Sequence, residues 1–214
     1  MTLDVMAKSL NKSAADHVEM RHHRRENLAI SVKDGKMDTL NNGVVEGVCV
    51  RVLVNGSWGF ASTTSSLEKD IEKALNDATK LGRASKKQKK RVAKLREVKP
   101  WVDKYSTSMK HDPRKASKDE LVSMVLDTDK IVRGFSKTIV SDNVVLGVID
   151  DDLSFVSSEG ASITQRIVRC LGSVLAVARE KGNVTSAYES IGAQTGLEIL
   201  DQTPLDVAGK IAAE

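Results

Sequence analysis

Residues 47–65, GVCVRVLVNGSWGFASTTS, contain the pattern that decides the fold. Valines alternate with other residues before the turn, as in a strand with one buried face. Asn55 and Gly56 form the commonest two-residue turn pair of a β-hairpin, because both positions need a positive φ angle. The stretch therefore predicts a strand, a tight turn and a return strand through Trp58 and Phe60.

A helix is predicted directly after this hairpin. Ser65 and Glu68 have the spacing of a capping box, in which the two side chains bind each other's backbone N–H groups. The apolar residues that follow share one helical face: Leu67, Ile71, Ala74, Leu75, Ala78 and Leu81. We expect this helix to pack across the preceding antiparallel strands and to end or loosen at Gly82.

The residues before the hairpin predict a short helix and further strands. Residues 3–12 carry apolar side chains at helical spacing, so a short amphipathic helix opens the chain. From residue 16 to residue 60 apolar and polar residues alternate, as in half-buried strands. The sequence KDGK at 33–36 places Asp-Gly between two such strands and predicts another hairpin.

The second half of the chain repeats this order of elements without a residue-by-residue repeat. Residues 100–113, bounded by two prolines, predict an extended link. A second capping box, Ser117 to Glu120, predicts an amphipathic helix that continues to Phe135.

Several strands are predicted after that helix. One hairpin is expected to turn at 150–152, where DDD would form a charged tip, and a second turn at 158–160. A long strand is predicted from about 163 to 178, a turn at 181–183 and a return strand over 184–194.

The last predicted element is a helix with Thr203 as its cap and Pro204 at its first position. Helices that alternate with hairpins indicate an α+β fold, with antiparallel sheets built from hairpins and amphipathic helices on one face. We divide the chain into a first lobe at 1–84, a basic helix or linker at 85–116 and a second lobe at 117–214.

The composition is typical of a globular protein without a membrane span. The chain has 214 residues, of which 40% are hydrophobic and 29% are charged. It has no apolar run near the roughly 20 residues that a span needs, and its N-terminus lacks the apolar centre of a secretory signal. Cys49 and Cys170 form no paired motif, which indicates a reducing, cytoplasmic setting.

Residues 80–99 hold ten lysines and arginines and one acid, Glu97. One interpretation is an electrostatic patch for a nucleic acid or a membrane surface. The segment has no aromatic residues for base stacking, so we favour a solvated helix or linker.

No catalytic constellation emerges from residue spacing alone. Gly56 and Gly59 lie in a hairpin, without the Lys-Ser/Thr of a phosphate loop. A metal site at His22 and His23, with His17 nearby, is disfavoured because adjacent strand residues point to opposite faces; a solvent-facing basic edge strand is the favoured interpretation. The carboxylates at 150–152 lack the spacing of a calcium loop. His111 is isolated in a predicted loop.

The chain resembles the TldD/PmbA family, also called modulators of DNA gyrase, in its N-terminal region. The resemblance is strongest at residues 47–84, where a G-x-G-V-R-V-like strand, an Asn-Gly turn, a W-G-F-A-S-T-like return strand and an amphipathic helix follow in order. It extends to four further segments: ADHVEMR (15–21), ISVKDGKMD (30–38), VSSEG (156–160) and PLDVAGKIAAE (204–214).

This resemblance implies a zinc metalloprotease of two subunits, acting on peptides or unfolded proteins. In the catalytic subunit an H-E-x-x-x-H helix would hold zinc, and the partner subunit would lack that motif. The four histidines here are not followed by Glu, so no catalytic or metal residue can be carried over: His17, His22, His23 and His111. We expect the chain to be the N-terminal, inactive portion, with zinc in a following C-terminal half.

Three alternatives stay open from sequence. The chain can belong to the catalytic subunit, to its non-catalytic partner in a homo- or heterodimer, or to an interaction module that uses residues 80–99. An H-E-x-x-x-H motif in the gene beyond residue 214 would distinguish the first two.

Overall fold

The computed structural model describes residues 2–85, 93–202 and 205–213. The helices are α1 (Thr2–Leu10), α2 (Glu68–Ser85), α3 (Lys118–Phe135), α4 (Ile199–Gln202) and α5 (Leu205–Ala213), with a 3-10 turn at Pro113–Lys115. The strands are β1 (His17–Lys33), β2 (Lys36–Val54), β3 (Ser57–Thr63), β4 (Val102–Ser106), β5 (Ile139–Ser157), β6 (Ser162–Glu180) and β7 (Asn183–Ala193).

The strands of the described residues form one hydrogen-bonded sheet in the order β3-β2-β1-β5-β6-β4, with β7 also paired to β6. The β2–β3 and β6–β7 pairs are antiparallel, whereas β4 runs parallel to β6. The predicted α+β class is confirmed. β4 lies within residues 100–113, which we predicted as a link.

Both predicted Asx-Gly hairpins form. Asn55 and Gly56 have φ angles of 50° and 70°, and Asp34 and Gly35 have φ angles of 52° and 79°. Positive φ at both central positions matches the twist of the adjoining strands. The turn chemistry therefore fixes the β1–β2 and β2–β3 pairing locally.

The contacts divide the chain into two compact units that interleave along the sequence. Unit 1 comprises Met1–Arg25, Val45–Ser106 and Asp151–Arg166, and unit 2 comprises the three remaining segments, Glu26–Val44, Thr107–Asp150 and Ile167–Glu214. The sequence-based lobes at 1–84 and 117–214 stay a prediction.

The core of unit 1 lies between α1, α2 and one face of the strands. Valines at alternate positions of β2, from Val48 to Val54, are buried with Ile71 and Ala78 of α2. The apolar stripe of α2 is narrower than predicted, because Leu67 and Leu81 are exposed. α2 also continues through Gly82 to Ser85, where we expected it to end or loosen earlier.

The predicted cap of α2 is wrong in detail. The Ser65 hydroxyl accepts a hydrogen bond from the N–H of Leu67, two residues on, and donates to Asp70. The Glu68 carboxylate binds the Lys12 ammonium at 3.0 Å. The acid of the predicted capping box is therefore used in a tertiary contact.

The core of unit 2 lies beneath α3, which packs against α5. Ser117 caps α3 as predicted, since its hydroxyl accepts from the Glu120 N–H. Leu121, Val125 and Val132 are buried in this core. The proposed cap of the last helix, Thr203 and Pro204, lies outside the described residues.

Strand β5 corrects a second expectation. It runs without a break from Ile139 to Ser157, so residues 150–152 form no hairpin tip. The predicted turn at 158–160 and the predicted strands at 163–178 and 184–194 are confirmed. Among the described residues, no helix is both long and apolar enough to cross a membrane.

Candidate functional site

Unit 1 contains a cavity of about 370 Å³ between the strands and the segment 95–101. Trp58 from β3 and Trp101 from this segment both line it. We call it the tryptophan cavity. Two backbone hydrogen bonds hold the ends of this stretch: the Ala93 N–H donates to the Gly56 carbonyl, and the Trp101 carbonyl accepts from the Ser162 N–H. The hairpin that identified the fold therefore supplies one aromatic wall of the cavity.

The polar lining of the tryptophan cavity centres on His17. Its Nε2 lies 3.5 Å from Glu19 Oε2, and its Nδ1 lies 3.6 Å from Glu159 Oε1. The His17 ring meets Trp58 edge to face, with centroids 6.1 Å apart. Nδ1 is buried and has no hydrogen-bond partner among the described residues. A buried polar atom without a partner costs free energy, so a polar ligand would find an unused group here.

Arg51 also lines the tryptophan cavity and pairs with Glu19. Its Nε donates to Glu19 at 2.7 Å, and its guanidinium lies 4.6 Å from the centroid of the Trp58 ring. The Glu19 carboxylate is thus compensated within the protein, and one face of Trp58 already holds a cation.

A second cavity in unit 1, of about 400 Å³, lies along the same strands. Arg21 and Phe155 line it, with the guanidinium 5.6 Å from the ring centroid. Ile163 lines both cavities. A sheet face with recurrent arginine–aromatic pairs can contact extended peptide chains through apolar and cation–π contacts.

The adjacent histidines His22 and His23 do not lie on an edge strand. Their strand, β1, lies between β2 and β5 in the sheet, so the predicted edge strand is wrong. His22 is buried, with Nε2 2.8 Å from Glu46 Oε1, and this contact lowers the pKa of Glu46. His23 Nε2 lies 2.7 Å from Asp151 Oδ1. The two rings bind carboxylates on different neighbouring strands, in agreement with their opposite directions in β1.

The carboxylates at 150–152 are held by arginines. Asp151 is buried and accepts from Arg25 Nε at 2.7 Å and from Arg25 Nη2 at 3.0 Å. Asp150 is buried, and its Oδ2 lies 2.9 Å from Arg114 Nε. A planar guanidinium satisfies two carboxylate oxygens at once. These residues therefore anchor a continuous strand, which explains why they form no exposed tip.

Zinc does not fit the residues of this chain that the structure describes. No three His, Cys, Asp or Glu side chains among them converge in a group that could hold a metal ion. His111, the remaining histidine, lies in unit 2 near Glu198, and its backbone N–H donates to that carboxylate at 3.0 Å. We derive no metal-dependent step for this chain.

The structure bears on the phosphate-loop alternative at Gly59 but not on the basic segment. Gly59 lies against the backbone of α2 and not at a helix N-terminus, so nothing in its position favours a phosphate loop. The five basic residues at the centre of 80–99 lie outside the described residues, and the nucleic-acid alternative stays a prediction.

Unit 2 contains a buried carboxyl pair that sequence analysis missed. Asp142 of β5 is 1% exposed, and neither of its carboxyl oxygens has a hydrogen-bond donor among the described residues. Burial, followed by the neighbouring Asp129, raises the pKa of Asp142 to about 7. Asp129 accepts the Gly35 N–H at 2.9 Å. No local signal reveals the pair, because the two residues belong to different elements.

Two further groups of unit 2 have shifted pKa values. Burial opposes ionisation of Glu198, but hydrogen bonds from the Thr195 hydroxyl and the His111 backbone lower its pKa to about 2. Burial, with Glu198 and Asp150 nearby, raises the pKa of the Cys170 thiol to about 12. Cys170 and Cys49 are both unpaired. Neither arrangement forms a nucleophile–base pair, so we interpret both as structural.

Two stretches of the chain match known domains. Residues 18–82 match the domain described as PmbA/TldA metallopeptidase domain 1, and residues 111–214 match the PmbA/TldA metallopeptidase central domain. Together these ranges cover most of the chain.

Similar curated proteins carry a consistent name. The chain is 30% identical over 193 residues to the metalloprotease MJ0996 of Methanocaldococcus jannaschii, covering 90% of this chain and 42% of that protein. It is 27% identical over 208 residues to a metalloprotease of Methanothermobacter thermautotrophicus, covering 93% of this chain and 42% of that protein. The chain thus spans less than half the length of these relatives.

Two solved structures share the fold. TldE from Thermococcus kodakarensis superposes with a TM-score of 0.75 at 17% identity, covering 96% of this chain and 46% of that one. A candidate modulator of DNA gyrase from Thermotoga maritima superposes with a TM-score of 0.72 at 16% identity, covering 99% of this chain and 47% of that one. At these identities the likeness concerns the fold alone.

Proposed function

This chain belongs to the PmbA/TldD family, and from that premise we propose that it forms a wall of the substrate chamber and part of the subunit interface of a metalloprotease. The substrates would be peptides or unfolded proteins. The observation that carries the proposal is the match to relatives named metalloproteases, of whose length this chain spans 42%. We place the zinc chemistry outside residues 1–214.

The sheet face of unit 1 that carries two cavities supports the chamber assignment. It offers the tryptophan cavity and the neighbouring Arg21–Phe155 cavity, which combine apolar walls with fixed charges. Peptides without tertiary structure expose apolar side chains, and concave surfaces of this kind bind them. The second subunit in our proposal is another PmbA/TldD-type chain, and two unpaired cysteines favour a cytoplasmic location.

A cleavage assay tests the proposal. The 214-residue chain and the longer gene product that we propose contains it would each be incubated with an unfolded protein such as casein, with and without a zinc chelator. We expect cleavage only by the longer product and loss of cleavage with the chelator. If the longer product cleaves only after a second family member is added, an H-E-x-x-x-H motif in one of the two chains identifies the catalytic subunit. Cleavage by the 214-residue chain alone would contradict the proposal.

A further inference from the structure

We propose that a proton shared by Asp129 and Asp142 holds the tip of the β1–β2 hairpin against α3, and that loss of this proton favours local opening of the tip. The hairpin tip is the turn Asp34–Gly35. All four residues belong to unit 2. The inference depends on the burial of the two acids, on their hydrogen bonds to the hairpin tip, and on the Asp34 carboxylate beside them.

The two acids of this pair are shielded from water. Asp129 of α3 is 2% exposed and Asp142 of β5 is 1% exposed. Neither oxygen of the Asp142 carboxyl has a hydrogen-bond donor among the described residues. Two adjacent buried carboxylates are costly to ionise together, because burial penalises each charge and the two charges repel. One shared proton converts the repulsion into a hydrogen bond, and burial, followed by the contact with Asp129, raises the pKa of Asp142 to about 7.

Direct hydrogen bonds connect the acid pair to the hairpin tip. The Gly35 N–H donates to Asp129 Oδ1 at 2.9 Å. On the β5 side, the Asp142 N–H donates to Asp34 Oδ1 at 3.0 Å, and the Asp34 N–H donates to the Asp142 carbonyl at 3.3 Å. The Ser141 hydroxyl also donates to Asp34 Oδ1, at 2.7 Å. The tip is therefore bound to both elements that carry the acid pair.

The charges around the pair make loss of the proton costly. Hydrogen bonds from β5, followed by the charges of Lys33 and Arg133, lower the pKa of Asp34, so this carboxylate is ionised near neutral pH. Ionisation of Asp142 would thus add a charge beside two other acids, Asp34 and Asp129. Lys33 and Arg133 are exposed, and water and salt screen the charges of exposed groups.

A metal ion is the competing link between the acids. Among the residues that the structure describes, no three His, Cys, Asp or Glu side chains converge in a group that could hold one. Asp34 Oδ1 already accepts two hydrogen bonds from β5. A proton needs only two facing carboxyl oxygens. We therefore assign the link to a proton.

Opening of the tip is the simplest way to hydrate the ionised pair. Asp34 and Gly35 are exposed, so the tip can move outwards while the core beneath α3 stays packed. In the open state the pKa of Asp142 returns towards 3.8. The closed state then binds more protons than the open state between about pH 4 and pH 7. Opening is therefore favoured as pH rises through that window, and the effect levels off above it.

Amide hydrogen exchange tests the proposal in the intact chain. The ¹⁵N-labelled 214-residue chain would be measured at pH 5, 6, 7 and 8, with each rate corrected for intrinsic exchange. We expect the protection of the Gly35 N–H to fall at least tenfold from pH 5 to pH 7 and to change little from pH 7 to pH 8.

Two other amides of unit 2 serve as internal references. The N–H of Val125, in the buried part of α3, reports global unfolding, so its protection should exceed that of Gly35 at every pH. Gly182 lies in the β6–β7 turn, also with positive φ. A Cβ atom added there would meet no atom within 4 Å, and its corrected exchange rate should not depend on pH.

Three substitutions separate the shared proton from packing. Asp142→Asn keeps a donor for Asp129 and cannot ionise, so the protection of Gly35 should become independent of pH. Asp127→Asn alters an exposed acid of α3 and should leave the pH dependence unchanged. Ser141→Ala removes a donor to Asp34, so it should lower the protection at every pH without changing its pH dependence.

Three outcomes would overturn the proposal. The first is a Gly35 protection that does not fall between pH 5 and pH 7 in the parent chain, which needs no variant to fold. The second is an equal fall in Asp142→Asn. The third is equal protection of Gly35 and Val125 at every pH, because the tip would then open only with global unfolding. No step of the test involves proteolysis, so its result is independent of the proposed function.

Discussion

A Cβ atom added to Gly59 of β3 would lie 2.6 Å from the backbone nitrogen of Gly82 in α2. It would also lie 1.9 Å from the carbonyl oxygen of Ala78. Helix and strand thus approach through bare backbone at this point. Gly59 in the WGF sequence of the hairpin and Gly82 near the end of α2 therefore together permit the close approach of β3 and α2.

Gly59→Ala is expected to destabilise the chain by about 3 kcal/mol. The new methyl group would overlap backbone atoms, which cannot move aside as a flexible side chain can, and overpacking of this kind is costly. Urea unfolding followed by far-UV circular dichroism would measure the change.

Gly134→Ala is the matched control for this substitution. Gly134 lies near the end of α3, and a Cβ atom there would meet no atom within 4 Å. Alanine favours helix by up to about 1 kcal/mol over glycine, so we expect an unchanged or higher stability. Equal stability of Gly59→Ala and the parent chain would show that the α2–β3 approach is looser than described.

Asp142→Asn is expected to stabilise the chain at pH 8. The pKa of Asp142 rises from 3.8 to about 7 on folding, so the folded state binds more protons than the unfolded state between about pH 4 and pH 7. Stability therefore falls as pH rises through that window. Asparagine cannot ionise and can donate to Asp129, so we expect a gain of about 2 kcal/mol at pH 8.

The gain should shrink towards pH 5, where the parent carboxyl is protonated. Urea midpoints at pH 5, 6, 7 and 8 would measure it. Asp127→Asn changes an exposed acid on the same helix as Asp129 and should shift stability by less than about 0.5 kcal/mol at every pH. A constant difference across pH for Asp142→Asn would contradict the buried carboxyl pair.

Glu198→Gln is expected to have the opposite pH dependence. The pKa of Glu198 is lowered from 4.5 to about 2 by donors that include the His111 backbone. That stabilisation is present above about pH 4.5 and is lost as pH falls towards 2. We expect the variant to lose about 1–3 kcal/mol of unfolding free energy at pH 7 and less at pH 3. Urea unfolding would measure both values. An equal loss at the two pH values would contradict the lowered pKa of Glu198.

The two cysteines are expected to differ in reactivity. Burial and nearby acids raise the pKa of Cys170 to about 12, so its reactive thiolate is scarce, whereas Cys49 is only half-buried. Ellman's reagent should label at most one thiol per native chain and two per chain in urea. Rapid labelling of two thiols in the native chain would show that the strand region around Cys170 opens readily.

Local patterns predicted the parts of the fold that local chemistry determines. Asn55-Gly56 predicted its hairpin because the turn requires positive φ at adjacent residues, and Ser117 predicted the start of α3 because a cap acts within one turn. The exposed strand β4 has no buried side chain, so no apolar alternation indicated it.

The candidate site depends on contacts that sequence spacing does not contain. Sequence spacing predicts a charged tip at Asp151 because its partner Arg25 is 126 residues away. The strand of His22 and His23 was predicted as an edge strand, because its second neighbour, β5, follows much later in the chain. The tryptophan cavity joins Trp58 to Trp101 across the basic segment, and neither residue alone indicates it. Family resemblance does not indicate this cavity either.

Zinc content tests the central claim most directly. The 214-residue chain and the longer gene product would be purified from the same cells without chelators or affinity metals, and zinc per chain would be measured by mass spectrometry after dialysis. We expect about one zinc per chain in the longer product, if it is the catalytic subunit, and a substoichiometric trace in the 214-residue chain. One tightly held zinc in the 214-residue chain would contradict the account.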